Sequence, residues 1–182
     1  MAGRREVYIS VDIEASGPIP GVFSMLTIGA CNIGDPSQFF SCELQPISQN
    51  ADPEAMKVSG LSLESLALTG EHPVTAMNRF QEWITEQLNS NETPVFVGLN
   101  APFDWSFINY YFLYFLKSNP FGFTALDIKA LYMGTTGVNW SETRSSRMAE
   151  RLRPQMVGNH QALQDAQYQA ELFRLIRSLR AP

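Results

Sequence analysis

The sequence predicts an α/β fold, a five-stranded mixed sheet flanked by helices. Residues 5–46 alternate apolar and polar positions in short runs, as strands do. Helix starts take over from residue 52, and two more short apolar strand segments, 93–99 and 123–126, interrupt them. The chain has 182 residues, 45% of them hydrophobic and 17% charged, which fits one domain spanning 1–182. Folding at that length removes roughly 70% of the unfolded chain's accessible surface, so a core forms without staples.

The first strand is REVYISVDIEASG. Val7, Ile9, Val11 and Ile13 point one way, and Tyr8, Ser10, Asp12 and Glu14 the other. An edge strand with one wet face reads like this, and so does a metal site. A turn-rich loop follows, SGPIPGVFS (16–24). MLTIGACNIG and SQFFSCELQP are the second and third strands, joined by a turn at Gly34-Asp35-Pro36-Ser37, so the three form an antiparallel meander. Asp52-Pro53-Glu54 and Ser62-Leu63-Glu64 each start a short helix. Pro73 opens a longer one, with Val74, Met77, Phe80, Trp83, Ile84 and Leu88 at helical spacing. TPVFVGL is a buried strand, and Pro102 takes the first position of the helix PFDWSFINYYFLYFLK. Phe123 to Leu126 supplies the fifth strand. The last helix runs from His160 to Leu179 behind an Asn159 cap, with Ala162, Ala166, Ala170 and Phe173 on one stripe.

Composition excludes several classes. Cys31 and Cys42 show no CxxC pattern and no histidine neighbour, so they read as small buried thiols. Arg4 and Arg5 precede a segment broken by Ser10, Asp12 and Glu14, which is no secretory leader. The longest apolar run, FINYYFLYFL, is about half of the roughly 20 residues a membrane-spanning helix needs. The expectation is a soluble, cytoplasmic protein with no membrane partner. A net charge of −5 argues against a general nucleic-acid coating protein. The charge is uneven, however: 144–180 holds seven arginines against Glu150, Asp165 and Glu171, a net +4, and the rest carries −9.

Acids carry the chemistry. Asp12 and Glu14 share a strand face, where two carboxylates repel unless a cation lies between them. Asp104, in GLNAPFDWSF, falls at a strand end and in the first turn of a helix, where a carboxylate also serves as a cap. Asp165, in NHQALQDAQYQAELF, sits beside the alanine stripe that allows close approach to a sheet, with His160 at the helix start. His72, in GEHPV, has no such company and reads as a loop residue. Each feature alone has a bland reading as a solvated face, a cap or an exposed helix acid.

Together, the strand DxE, the NxxFD of Asn100 to Asp104 and the HxxxxD of His160 to Asp165 resemble the DEDDh family of 3′–5′ exonucleases. That family includes RNase T, oligoribonuclease and the proofreading subunit of bacterial DNA polymerase III. The resemblance spans nearly the whole chain. VSGLS (58–62) falls where the family has a short helical insertion, and ALDIKAL (125–131) where it often has a D-x-L-like stretch. Gln161 stands where the sister DEDDy group has tyrosine. The chain departs at Ala15 and Ser16, where members often have threonines, at Thr27 and at Leu99. These positions bear on substrate choice and leave the acids and the histidine intact.

The resemblance implies an RNase H-like fold and two Mg²⁺ or Mn²⁺ ions held by Asp12, Glu14, Asp104 and Asp165. Asp12 would bridge the ions, Glu14 and Asp165 would complete the nucleophile side, and Asp104 would hold the second. His160 would be the general base toward the attacking water. The reaction would release nucleoside 5′-monophosphates from the 3′ end of single-stranded RNA or DNA. Substrate contacts implied by position are Ala15, Ser16, Asn100 and Phe103, with Phe23 or Met25 as an apolar wedge under the terminal base. Arg144 and Arg147 are candidate phosphate contacts; the alternative for their segment is a solvated helix or loop. A homodimer, or a polymerase or RNA-processing partner, is compatible with the family. Two other functions compete: an inactive nucleic-acid-binding protein on the same fold, and a metal-dependent small-nucleotide hydrolase. Five intact catalytic positions weigh against the binder.

Overall fold

The computed structural model describes residues 5–179; Arg4 and Arg180 lie outside that range. The elements in order are β1 (Arg5–Ala15), β2 (Met25–Asn32), β3 (Asp35–Glu43), α1 (Pro53–Ser59), α2 (Leu63–Thr69), α3 (Pro73–Glu86), β4 (Glu92–Gly98), α4 (Ala101–Tyr111), β5 (Ala125–Asp127), α5 (Ile128–Thr136), α6 (Ser145–Leu152) and α7 (Ala162–Ser178). The sheet order is β3-β2-β1-β4-β5. The first three strands form the expected antiparallel meander, and β4 and β5 add parallel to β1, so β2 alone runs against the rest.

β1 is the centre of the sheet, not its edge. Ile9, Val11 and Ile13 pack on one face with Phe80 and Ile84 of α3 and Phe107, Ile108 and Tyr111 of α4. Tyr8 lies on the other, with Ile128 and Tyr132 of α5 and Leu172, Phe173 and Ile176 of α7. Cys31 and Cys42 are buried thiols, one in each layer. Short helices are set by their caps: Asp52 accepts the Glu54 and Ala55 N–H groups at 2.8 and 3.2 Å, and Ser62 accepts that of Ser65. Such caps contribute about 1 kcal/mol each.

Several boundaries differ from the sequence reading. The β2–β3 turn is Ile33–Gly34, because Asp35 and Pro36 already belong to β3. Val74 faces solvent and Leu88 lies past the end of α3; Ala76 joins the buried face instead. α4 starts one residue before Pro102 and closes in a π-helical turn, Phe112–Leu116. The fifth strand is shifted to Ala125–Asp127, leaving Phe123 92% exposed. His160 is not helical: it adopts φ 60° ahead of α7, which begins at Ala162. The alanine stripe does press onto the sheet. A Cβ at Gly29 would collide with the backbone of Ala162 and Leu163, so glycine is what allows the first turn of α7 to touch β2.

Candidate active site

Strand ends assemble the site. Asp12 pairs in register with Gly29, beneath the start of α7, and Glu14 with Thr27. The Glu14 N–H donates to the Thr27 hydroxyl at 3.2 Å, and a register shift after Glu14 turns the chain away. At the end of β4, Asn100 takes a left-handed conformation, φ 65°, that swings the chain into α4. Asp104 thereby points inward, 4% exposed, and its Oδ1 accepts the N–H of Ile13 at 3.1 Å. That N–H belongs to the residue between the two β1 acids. Asp104 is therefore clamped to the strand that carries them.

α7 supplies the rest. Asp165 reaches back: its Oδ1 accepts the Asn159 N–H at 2.8 Å and its Oδ2 the His160 N–H at 3.0 Å. The Asn159 Oδ1 accepts the Gln161 N–H at 3.1 Å, a local turn that ends before α7 begins at Ala162, while Asp165 closes the loop from the helix side. Glu14, His160 and Asp165 each offer a ligand atom, all within 4.8 Å of one another. One turn further along α7, Gln169 is 2% exposed, donates from Nε2 to Asp12 Oδ1 at 2.5 Å and accepts the Leu99 N–H at 2.9 Å.

Burial and mutual repulsion hold protons on the cluster. The Asp12 carboxyl is raised well above its ordinary range by burial and then by the charges of Asp104, Asp165 and Glu14, with Gln169 opposing. Glu14 is raised to about 7 by burial and by Asp165. Asp104 is raised to about 8 by burial, partly offset by the Ile13 N–H. Such a cluster is unfavourable when ionised and suits a hard divalent cation. Beside it opens a cleft of about 600 Å³, lined by Glu14, Thr27, Glu43, Leu61, His160 and Gln164 among others.

The other sequence candidates are placed less favourably. Met25 is fully buried in the core and cannot act as a wedge, and the Ala15 side chain is buried too. The Ser16 hydroxyl is occupied, accepting the Ser24 N–H at 2.9 Å and donating to the Asn50 carbonyl at 2.8 Å. Phe23 is half-buried with its ring against Gly17. Phe103 is half-buried against Phe107 at 5.4 Å, and Asn100 is exposed in the turn it makes. Arg144 is exposed, while the Arg147 guanidinium pairs with Glu150 at 3.1 Å instead of lying on the acids. Sequence reasoning missed Gln169, whose only signal is its place four residues after Asp165 on one helix face. It also missed Asp127, whose oxygens accept the Ala101 and Ala130 N–H groups at 2.8 and 2.7 Å and tie α4 to α5.

Comparison with known proteins gives a consistent picture. An exonuclease family model of the RNase T type matches residues 9–173. A curated 3′–5′ DNA exonuclease of Escherichia coli, Cap18, is 57% identical over 175 residues, which are 96% of this chain and 94% of Cap18. Among solved structures, the nuclease domain of 3′hExo, a DEDDh family member bound to rAMP, superposes with a TM-score of 0.75 at 15% identity, covering 96% of this chain and 92% of that one. The zinc-bound form of the E. coli exonuclease I complex with single-stranded DNA gives 0.72 at 16% identity, over 97% of this chain and 41% of that one.

Proposed function

This chain belongs to the RNase T exonuclease family and is a 3′–5′ exonuclease, and on that premise we propose that it shortens single-stranded DNA, releasing nucleoside 5′-monophosphates. The match of one family model to residues 9–173 supports reading 1–182 as a single exonuclease domain. The observation that carries the chemistry is the coupling of Asp12, Glu14, Asp104 and Asp165 in one acid cluster with His160 at its rim. DNA is preferred over RNA because the 57% identical relative is a DNA exonuclease.

The donor set fits a divalent metal: three acids hold protons against one another's charge, and all offer hard oxygen ligands. We assign Asp12, Glu14, Asp104 and Asp165 to two Mg²⁺ or Mn²⁺ ions. Such ions supply positive charge for the phosphate oxygens and lower the pKa of water toward neutrality. The chain's own residues do the positioning. Gln169 holds one Asp12 oxygen in place, and the Ile13 N–H does the same for Asp104. His160, exposed at the cleft, takes the proton of the attacking water and hands it to solvent. Water adds to phosphorus, the bond from phosphorus to the 3′-oxygen breaks, that oxygen takes a proton from solvent to become the new 3′-hydroxyl, and the departing nucleotide keeps the phosphate on its 5′-oxygen. The cleft beside Glu14 and His160 is of a size to hold that nucleotide.

Digestion of a 5′-labelled single strand tests this. Stepwise shortening with release of 5′-mononucleotides, and resistance when the 3′ end carries a phosphate, are expected. Internal cuts in a circular single strand would overturn the reading.

A further inference from the structure

We propose that Trp140 and Lys129 form a stacking platform for the substrate strand on the 5′ side of the scissile bond. The proposal deepens the exonuclease reading and rests on it. β1, β4 and β5 run parallel, so their carboxyl ends fall at one edge of the sheet. Asp127, which ends β5, accepts the Ala101 N–H at 2.8 Å at the start of α4, one turn before Asp104, and it also caps α5. α5 therefore begins at the rim of the acid cluster, with Lys129 in its first turn. Gly137, at φ 72°, ends α5 and turns the chain back along it. A 3₁₀ turn, Trp140–Thr143, then packs against α5, anchored by Thr143, which is fully buried and donates to the Trp140 carbonyl at 2.7 Å.

The Lys129 Nζ lies 4.5 Å from the centroid of the Trp140 ring. Trp140 is 52% exposed, whereas Trp83 and Trp105 pack against the core. Among the described residues Lys129 and Arg144 have no ion-pair partner, although the chain is acidic overall. A rigid indole at the rim of a phosphodiester site, with the Lys129 ammonium over its ring and Arg144 directly after its 3₁₀ turn, fits an unpaired base and its flanking phosphates. The Lys129 stem is flexible enough to leave the ring for a phosphate. A paired base offers no open face, so the platform would favour single strands.

The side of the cut follows from the sheet order. The cleft at Glu14 and His160 is walled by β2 and β3, to one side of β1, and Lys129 follows directly on β5, at the other side, with Trp140 against it. If the cleft takes the departing nucleotide, the remaining strand crosses β4 and β5 toward Trp140.

The test compares an oligo(dT) of about twenty nucleotides with a thymidine dinucleotide. Trp140→Ala should raise KM for the long substrate about 5- to 150-fold, the range for losing one base–aromatic stack, with kcat and the dinucleotide kinetics unchanged. Lys129→Ala should raise the same KM less and flatten its salt dependence. Binding of a phosphorothioate oligo(dT), which resists cleavage, should quench tryptophan fluorescence in the parent and much less in Trp140→Phe. Parent-like KM in Trp140→Ala overturns the platform, as does undiminished quenching in Trp140→Phe or an equal loss on both substrate lengths. If the parent cleaves neither substrate, the exonuclease reading has failed instead, and the fluorescence arm still reports on the platform by itself.

Discussion

Asp104 and Asp165 are both carboxylates on the first turn or so of a helix, yet they are held in opposite ways. Asp104 lies 4% exposed behind β1 and anchors to the strand backbone through Ile13. Asp165 sits half-buried at the cleft, with both oxygens on the backbone of the loop before its own helix. Asp12 belongs with the deep half, fixed by Gln169, and Glu14 and His160 belong with the open half. The deep half is a frame that the sheet builds regardless of ligand, and it carries the larger electrostatic penalty. The open half depends on a single loop, with His160 in a left-handed conformation that few residues adopt readily. A site that must bind ions, hold substrate and release product separates the two needs in this way.

The largest expected effect tests the deep half. Asp12→Asn and Asp104→Asn should bring nuclease activity to background, while the amide oxygen at position 104 still accepts the Ile13 N–H. Both variants should be more stable than the parent in EDTA at neutral pH, because an amide avoids the cost of keeping a carboxyl protonated in the fold that would ionise on unfolding. Each kcal/mol gained would raise Tm by about 2–4 °C. Glu14→Gln should gain less, being less deeply buried. A melting series in which Glu14→Gln gains most would erase the distinction between the halves.

His160→Ala comes next. Loss of a general base typically lowers kcat about 10²- to 10⁴-fold, and KM should change little. Circular dichroism should show no loss of fold, since the side chain contributes no hydrogen bond and only the His160 N–H is engaged. A variant with parent kcat would move the base elsewhere and leave the open half a purely structural loop.

Gln169 is the hinge between the halves, on the helix of one and bonded to the acid of the other. Gln169→Ala leaves the half-buried Leu99 N–H without its acceptor, a cost at the lower end of the roughly 1–3 kcal/mol for an unsatisfied donor. It also frees Asp12, and loss of such an orienting partner lowers metal affinity or activity about 10- to 100-fold. Gln169→Glu keeps the acceptor but adds a charge beside Asp12, so it should be the more harmful to metal-free stability. If both variants cost the same, orientation of Asp12 is not what Gln169 provides.

The contrast also separates what could be read in the sequence from what could not. The alternation in β1, the helix-opening Asp52 and Pro73, the alanine stripe and the five acid and histidine positions all follow from local pattern or motif, and the sheet brings those five side chains to one edge. Missing were features that depend on distant partners. Asp165 reaches back to the N–H groups of Asn159 and His160 and holds them in a loop, so the helix starts two residues late and His160 stays outside it. Gln169 looks like any helix glutamine until Asp12 and Leu99 meet it. Met25 was expected under the terminal base, but its N–H donates to the Tyr111 hydroxyl at 2.8 Å from across the core, a distant partner that fixes it as the buried first residue of β2.

The smallest effect concerns pH, and it resolves the halves by titration. In the metal-free protein Glu14 is raised to about 7 and Asp104 to about 8, above the ordinary values both regain on unfolding. A carboxyl with a raised folded pKa binds more protons folded than unfolded, so stability falls as pH rises. Its contribution is full below the unfolded pKa and is lost by the folded one. In EDTA, Tm should therefore decline from about pH 4.5, with the Glu14 share exhausted near 7 and the Asp104 share continuing to about 8. Glu14→Gln should flatten the lower part of that slope and Asp104→Asn should remove the part above 7. Saturating Mg²⁺ binds the ionised cluster and should stabilise by about 2.7 kcal/mol at one hundred times its Kd, with a larger gain at pH 8 than at pH 5. A metal-free Tm that climbs from pH 5 to 8 would mean that the acids are not repelling one another, and the case for a cation between them would fail with it.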